Sequence, residues 1–147
     1  MTSLKDEKIA VLAGGPSCER EISLISGKAV HEALVSRGFS VFTLDPLGDF
    51  IRTLKKEKVS LVFIALHGAF GEDGTLQRML EDANIGYTGS GPLASECAFH
   101  KSKSQKIFEQ AQIKVPQFYV LNQKGSRGAL SSKIPYPVVV KPSAAGS

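Results

Sequence analysis

The sequence predicts an α/β fold with a doubly wound parallel sheet, and three observations carry that reading. Residues 9–13 (IAVLA) and 61–66 (LVFIAL) are short apolar runs without period-two alternation, as expected of parallel strands buried on both faces. Each run ends in a glycine-bearing turn, Gly14-Gly15 after the first and Gly68, Gly71 and Gly74 after the second. Between such runs, apolar residues recur at helical spacing, so strands alternate with helices as in right-handed βαβ crossovers.

Taken in order, the strand at 9–13 leads through Gly14, Gly15, Pro16 and Ser17 into a helix. Ile22, Ile25, Ala29, Val30, Ala33 and Leu34 predict its buried face, Ser17 its N-cap and Gly38 its C-terminal cap. Residues 39–44 (FSVFTL) predict a second strand, and 50–58 a short amphipathic helix around Phe50, Ile51 and Leu54. The central strand at 61–66 follows. Asp73 or Thr75 then caps a helix carrying Leu76, Met79, Leu80 and Ala83 on one face. Residues 85–88 predict a fourth, short strand.

From Gly89 the organisation changes. Residues 89–92 form a turn into one helix, and 101–112 form another with Ile107, Phe108 and Ala111 inward. Strands are expected at 118–121 and 138–141, separated by the polar segment 122–132 and followed by a loop of small residues, 142–147. Two strands and a lone helix do not cover both faces of their own sheet. The expected organisation is therefore a complete α/β domain over 1–99 and the beginning of a second domain over 100–147.

The net charge of +4 is scattered, with short clusters at Lys55, Lys56, Lys58 and at Lys101, Lys103, Lys106. Aromatics do not interleave with the basic residues, which argues against nucleic acid, whereas an anionic small molecule such as a nucleotide fits the charge. No apolar run approaches membrane-spanning length, and the first residues lack the apolar core of a signal peptide. Two cysteines, Cys18 and Cys97, make no disulfide framework, so the expectation is a cytoplasmic protein with reduced thiols.

Ligands of open α/β sheets bind outside the carboxyl ends of the strands. His67 directly follows the central strand there, and Glu19 heads the first helix beside the Gly-Gly turn. Glu19 either complements the helix dipole or holds a substrate ammonium. Glu72 and Asp73 are candidates for a metal, although adjacent carboxylates more often serve a turn. Cys18 has no partner base evident in the sequence. Lys141, ending an apolar run before a Ser/Ala/Gly loop, suits a phosphate. The first turn is neither G-x-G-x-x-G nor a P-loop.

In order, IAVLAGGPSCERE, FIALHGAFGEDGTLQ, YTGSGPLAS, HK and VVVKPSAAGS resemble the D-alanine–D-alanine ligases of the ATP-grasp superfamily, from about residue 9 to 147. The resemblance implies a Rossmann-like pre-ATP-grasp domain followed by the truncated start of an ATP-grasp domain. It also implies ATP-dependent ligation of two D-alanines through an acyl phosphate, for peptidoglycan precursor synthesis, with Mg²⁺ as cofactor and a homodimer as a plausible assembly. By the same resemblance, Glu19 lies near the ammonium of the first D-alanine and His67 lines that pocket. Lys101 and Lys141 contact ATP phosphates, and Ser147 bonds with Glu19 and a later tyrosine. Ala144 and Ala145 depart from the larger polar residues common in family loops. The Mg²⁺ ligands and most of the adenine pocket are expected beyond residue 147, so this chain alone is expected to be inactive. The alternatives are an ATP-grasp ligase joining D-alanine to D-lactate or D-serine, and a non-catalytic module that binds a D-amino acid.

Overall fold

The computed structural model describes residues 7–121 and 136–145. In chain order the elements are β1 (Lys8–Leu12), α1 (Arg20–Ser36), β2 (Ser40–Leu44), α2 (Phe50–Lys56), β3 (Leu61–Ile64), α3 (Thr75–Asp82), β4 (Gly86–Tyr87), α4 (Pro92–Phe99) and α5 (Lys101–Gln110). The strands form one four-stranded sheet, β2-β1-β3-β4, and every pairing in it is parallel. The register sets Ile9 beside Val41 on one side and Leu61 on the other.

The two apolar runs are central, and successive residues feed opposite faces, as the pleat requires. Ala10, Leu12 and Val62 pack with Phe50 and Leu54 of α2 and Leu76 and Leu80 of α3. Val11, Ala13 and Ala65 pack on the other side with Val30 and Leu34 of α1. The absence of alternation in these strands thus reflects helices on both faces. Each fully buried leucine contributes about 1.5–3 kcal/mol relative to exposure.

The α1 face differs from the expectation. Ile22 and Ile25 are 59% and 66% exposed, and the helix turns Ser23 and Gly27 to the sheet. The reason is a close seat on β1: a Cβ at Gly27 would stand 2.3 Å from the Cβ of Ala13, so a larger inward residue has no room. The N-cap is Glu19 rather than Ser17, and the Ser17 hydroxyl accepts from the Glu19 N–H at 3.0 Å. At the far end Gly38 adopts φ +80°. Its N–H bonds Val35 O at 2.9 Å and the Phe39 N–H bonds Leu34 O at 3.2 Å, a Schellman closure.

Beyond Gly89 two further expectations are corrected. Helix α5 ends at Gln110 and has no buried residue; Ile107 and Phe108 are 45% and 43% exposed, and Ala111 is exposed. Neither 118–121 nor 138–141 is a strand, because neither has a ladder partner among the described residues and an unpaired strand leaves its backbone groups unsatisfied. Instead, His100 and Ala144 form an isolated antiparallel bridge. The segment 122–135 and Ser147 lie outside the described residues.

The seat of α1 is testable. Gly27→Val forces a branched side chain onto Ala13, and overpacking of this kind costs about 1–3 kcal/mol. The urea midpoint of the 147-residue chain is expected to fall with an unchanged m-value.

Candidate functional site

Strand β1 is followed in sequence by its neighbour on one side and pairs with β3 on the other, so the direction of winding reverses between β1 and β3. A ligand crevice forms outside the carboxyl ends of two strands related in this way. Two loops bound it, 13–19 after β1 and 65–74 after β3.

The first loop is fixed by three side chains, two from α1 and one just after β2. The Gly14 N–H donates to Ser23 Oγ at 2.8 Å, and that hydroxyl donates to Ala65 O at 2.7 Å. The Gly15 N–H donates to Asp45 Oδ1 at 3.0 Å, while Arg20 donates to Gly15 O at 3.1 Å and pairs with Asp45 at 2.6 Å. Burial alone would raise the Asp45 carboxyl, but the hydrogen bonds from Arg20 and Gly15 outweigh it and hold it below its ordinary value. The Asp45 hydrogen bond raises Arg20 in turn.

The second loop is a compact turn in which Gly68, Phe70 and Gly74 all take positive φ. Glu72 accepts from the Gly68 N–H at 3.0 Å. Asp73 accepts from Phe70 N–H and Thr75 N–H, each at 2.9 Å. The Phe70 ring packs edge-on to Phe50, with centroids 6.1 Å apart, which ties the turn to the core. Both carboxylates therefore serve the turn. Burial pushes Asp73 up, and its backbone hydrogen bonds from Phe70 and Thr75 more than reverse this.

The loops meet at Gly68. A Cβ there would lie 2.5 Å from Glu19 Oε2 and 2.7 Å from Ser17 Oγ, so the Glu19 carboxylate rests on the backbone of the residue after His67. His67 Nε2 lies 3.0 Å from Ser26 Oγ, and its Nδ1 lies 3.9 Å from Glu72 Oε1. Two residues singled out from the sequence, Glu19 and His67, thus share one crevice. A cavity of about 280 Å³ adjoins it at the ends of β3 and β4, lined by Glu72, Gln77, Thr88 and Ser95 among others.

Lys101 belongs to a second locus. Its N–H donates to Ser143 O at 2.9 Å and its Nζ to Ala145 O at 2.6 Å. Lys141 is exposed in the same segment. Ser147 lies outside the described residues. Among the described residues no group of three or more His, Cys, Asp or Glu could hold a metal ion. No helix of the described residues is long and apolar enough to cross a membrane.

Sequence reasoning missed Ser23, Ser26 and Asp45. The signals were present: two serines inside an otherwise apolar helical pattern, and an Asp-Pro pair directly after the second strand.

Fold and loops together define an open α/β unit with a crevice at the carboxyl ends of its strands. Known proteins place it further. The family model for the D-ala D-ala ligase N-terminus matches residues 45–90. A D-alanine–D-alanine ligase from Citrifermentans bemidjiense is 51% identical over 144 residues, 98% of this chain and 46% of the relative. Among solved structures, a D-alanine–D-alanine ligase from Bacillus anthracis complexed with ATP superposes with a TM-score of 0.81 at 29% identity, covering 94% of this chain and 48% of that one. The VanG D-Ala:D-Ser ligase from Enterococcus faecalis gives a TM-score of 0.71 at 30% identity, covering 96% of this chain and 53% of that one. The chain is homologous to the N-terminal half of D-alanine–D-alanine ligases. It spans about half the length of the curated relatives it matches.

The carboxylates that hold the two loops are expected to make the fold acid-sensitive. Asp45 and Asp73 are depressed in the folded state, so their stabilising effect is present above the unfolded aspartate value of about 3.9 and is lost as pH falls through the lower folded values. The thermal midpoint is expected to drop on acidification through that window. Asp73→Asn should lower the midpoint at pH 7 and flatten the drop, measured by circular dichroism.

Proposed function

We propose that the chain is the amino-acid-binding part of an ATP-dependent ligase that joins two D-alanines for peptidoglycan precursor synthesis in the cytoplasm. Residues 1–99 form its substrate domain and residues 100–147 begin its ATP-grasp domain. The observation that carries this reading is the Glu19 carboxylate seated on Gly68, beside His67, where the winding of the sheet reverses. Homology to the N-terminal half of D-alanine–D-alanine ligases supports it.

In this reading Glu19 supplies the counter-charge for the ammonium of the first D-alanine, and His67 lines the same pocket. ATP phosphorylates the carboxylate of that D-alanine. The amine of the second attacks the acyl phosphate, forming the amide as phosphate leaves. Lys101 and Lys141 neutralise phosphate charge as point cations, and Ser147 with Glu19 orders the closing loop. Magnesium, when bound, supplies further neutralisation of the transferred phosphoryl group. A homodimer fits the same reading.

A second reading, ligation of D-alanine to D-serine, is favoured by the likeness to the VanG structure. Product analysis of the full-length enzyme with D-alanine and D-serine in competition separates the two.

In the full-length enzyme, Glu19→Gln is expected to raise the KM for D-alanine by about 10–100-fold, the scale of a charged hydrogen bond of about 1.5–3 kcal/mol. An unchanged KM overturns the assignment of Glu19. The 147-residue chain alone is expected to show no dipeptide formation with ATP and Mg²⁺, and turnover by it overturns the proposed division of the site.

A further inference from the structure

We propose that Ser26 is a positioning residue for His67, donating its hydroxyl proton to Nε2 and holding the ring in the Nδ1–H form. This inference rests on the proposed function only for its consequence in catalysis; its geometry stands without it. The His67 ring lies between two groups, Ser26 Oγ at 3.0 Å from Nε2 and Glu72 Oε1 at 3.9 Å from Nδ1. Glu72 is itself held by the Gly68 N–H at 3.0 Å, so the carboxylate on the Nδ1 side has a fixed place. The Glu19 carboxylate rests against Gly68.

A neutral imidazole carries one donor and one acceptor nitrogen. A carboxylate only accepts, so a bare Nδ1 facing Glu72 sets lone pair against lone pair. The favourable arrangement puts the proton on Nδ1. Nε2 is then the acceptor, and Ser26, which can donate or accept, supplies the proton.

The helix makes Ser26 a fixed donor. A mid-helix serine commonly bonds back to the carbonyl one turn earlier, whereas here its hydroxyl meets the ring. Ser23, one turn before it, is pinned to Gly14 N–H and Ala65 O, and Ala65 is two residues from His67. Helix and histidine loop therefore share an anchor. With Nε2 engaged, the ring presents its Nδ1–H edge in one orientation, which suits a group that must meet a small substrate without reorganising.

The test uses long-range ¹H–¹⁵N spectra of the 147-residue chain at about pH 8.5, above the ordinary histidine value of about 6.5. His67→Gln assigns the signals. The wild type is expected to show a protonated Nδ1 and an acceptor-type Nε2 for His67. Ser26→Ala should shift this toward a tautomer mixture, and Ser26→Thr should keep it. A protonated Nε2 in the wild type, or an Ala variant with the wild-type pattern, overturns the proposal. In the full-length enzyme Ser26→Ala should raise the KM for D-alanine about 2–10-fold, the scale of one net hydrogen bond, with kcat little changed and Thr restoring it. A KM unmoved by Ser26→Ala while Glu19→Gln raises it overturns the positioning role alone. A KM unmoved by both overturns the proposed substrate pocket, and the spectra then still decide the tautomer.

Discussion

The hydroxyl of Ser23, wholly buried, joins three parts of the chain that packing alone would leave free to slide. It accepts from Gly14 N–H and donates to Ala65 O, two backbone groups just past the ends of β1 and β3. Without it, each would be buried and unpaired, at about 1–3 kcal/mol. The bond also sets the rotation of α1. With Ser23 inward, residues three and four apart share its face, which brings Gly27 onto Ala13 and Ser26 to His67. Glu19, four residues before Ser23, falls on that face as well, so the carboxylate is aimed at the crevice by the same contact that closes the core.

The second constraint is the space around the histidine loop. Gly68 has φ +73° and no room for a Cβ beneath Glu19, so the carboxylate touches backbone rather than a side chain. At the end of the loop, Gly74 has φ +89°, and a Cβ there would stand 2.3 Å from Pro92 O. That contact sets the start of α3 against the start of α4. A loop compressed at both ends holds Glu72 and Asp73 as turn acceptors. Two carboxylates are committed to backbone N–H groups in this way, whereas Glu19 rests against Gly68, the residue after His67.

Most of the sheet was legible because its central strands are apolar throughout: residues 9–13 and 61–66 need no partner information to be recognised as buried. That Glu19 and His67 would come to one crevice was legible because a doubly wound sheet gathers the loops that follow its strands at one edge. The face of α1 was not. Periodicity ranks Ile22 and Ile25 above Ser23 and Gly27, yet the close approach to Ala13 selects small residues, and that distance is a property of the packed pair. Ser26 and Asp45 were hidden for a related reason, since each acts on an element distant in sequence. The strands expected at 118–121 and 138–141 rest on composition, and composition supplies no ladder partner.

The histidine crevice is built by the sheet, whereas the lysine locus is built by a helix start. Lys141 was expected to owe its position to a strand, but 138–141 is not one. What orders the neighbouring segment is α5: the Lys101 N–H and Nζ take the carbonyls of Ser143 and Ala145, and His100 bridges Ala144. These bonds bring together residues up to 44 positions apart and lay the 143–145 backbone along the positive end of a ten-residue helix. In the proposed reading that end is where phosphate charge must be met.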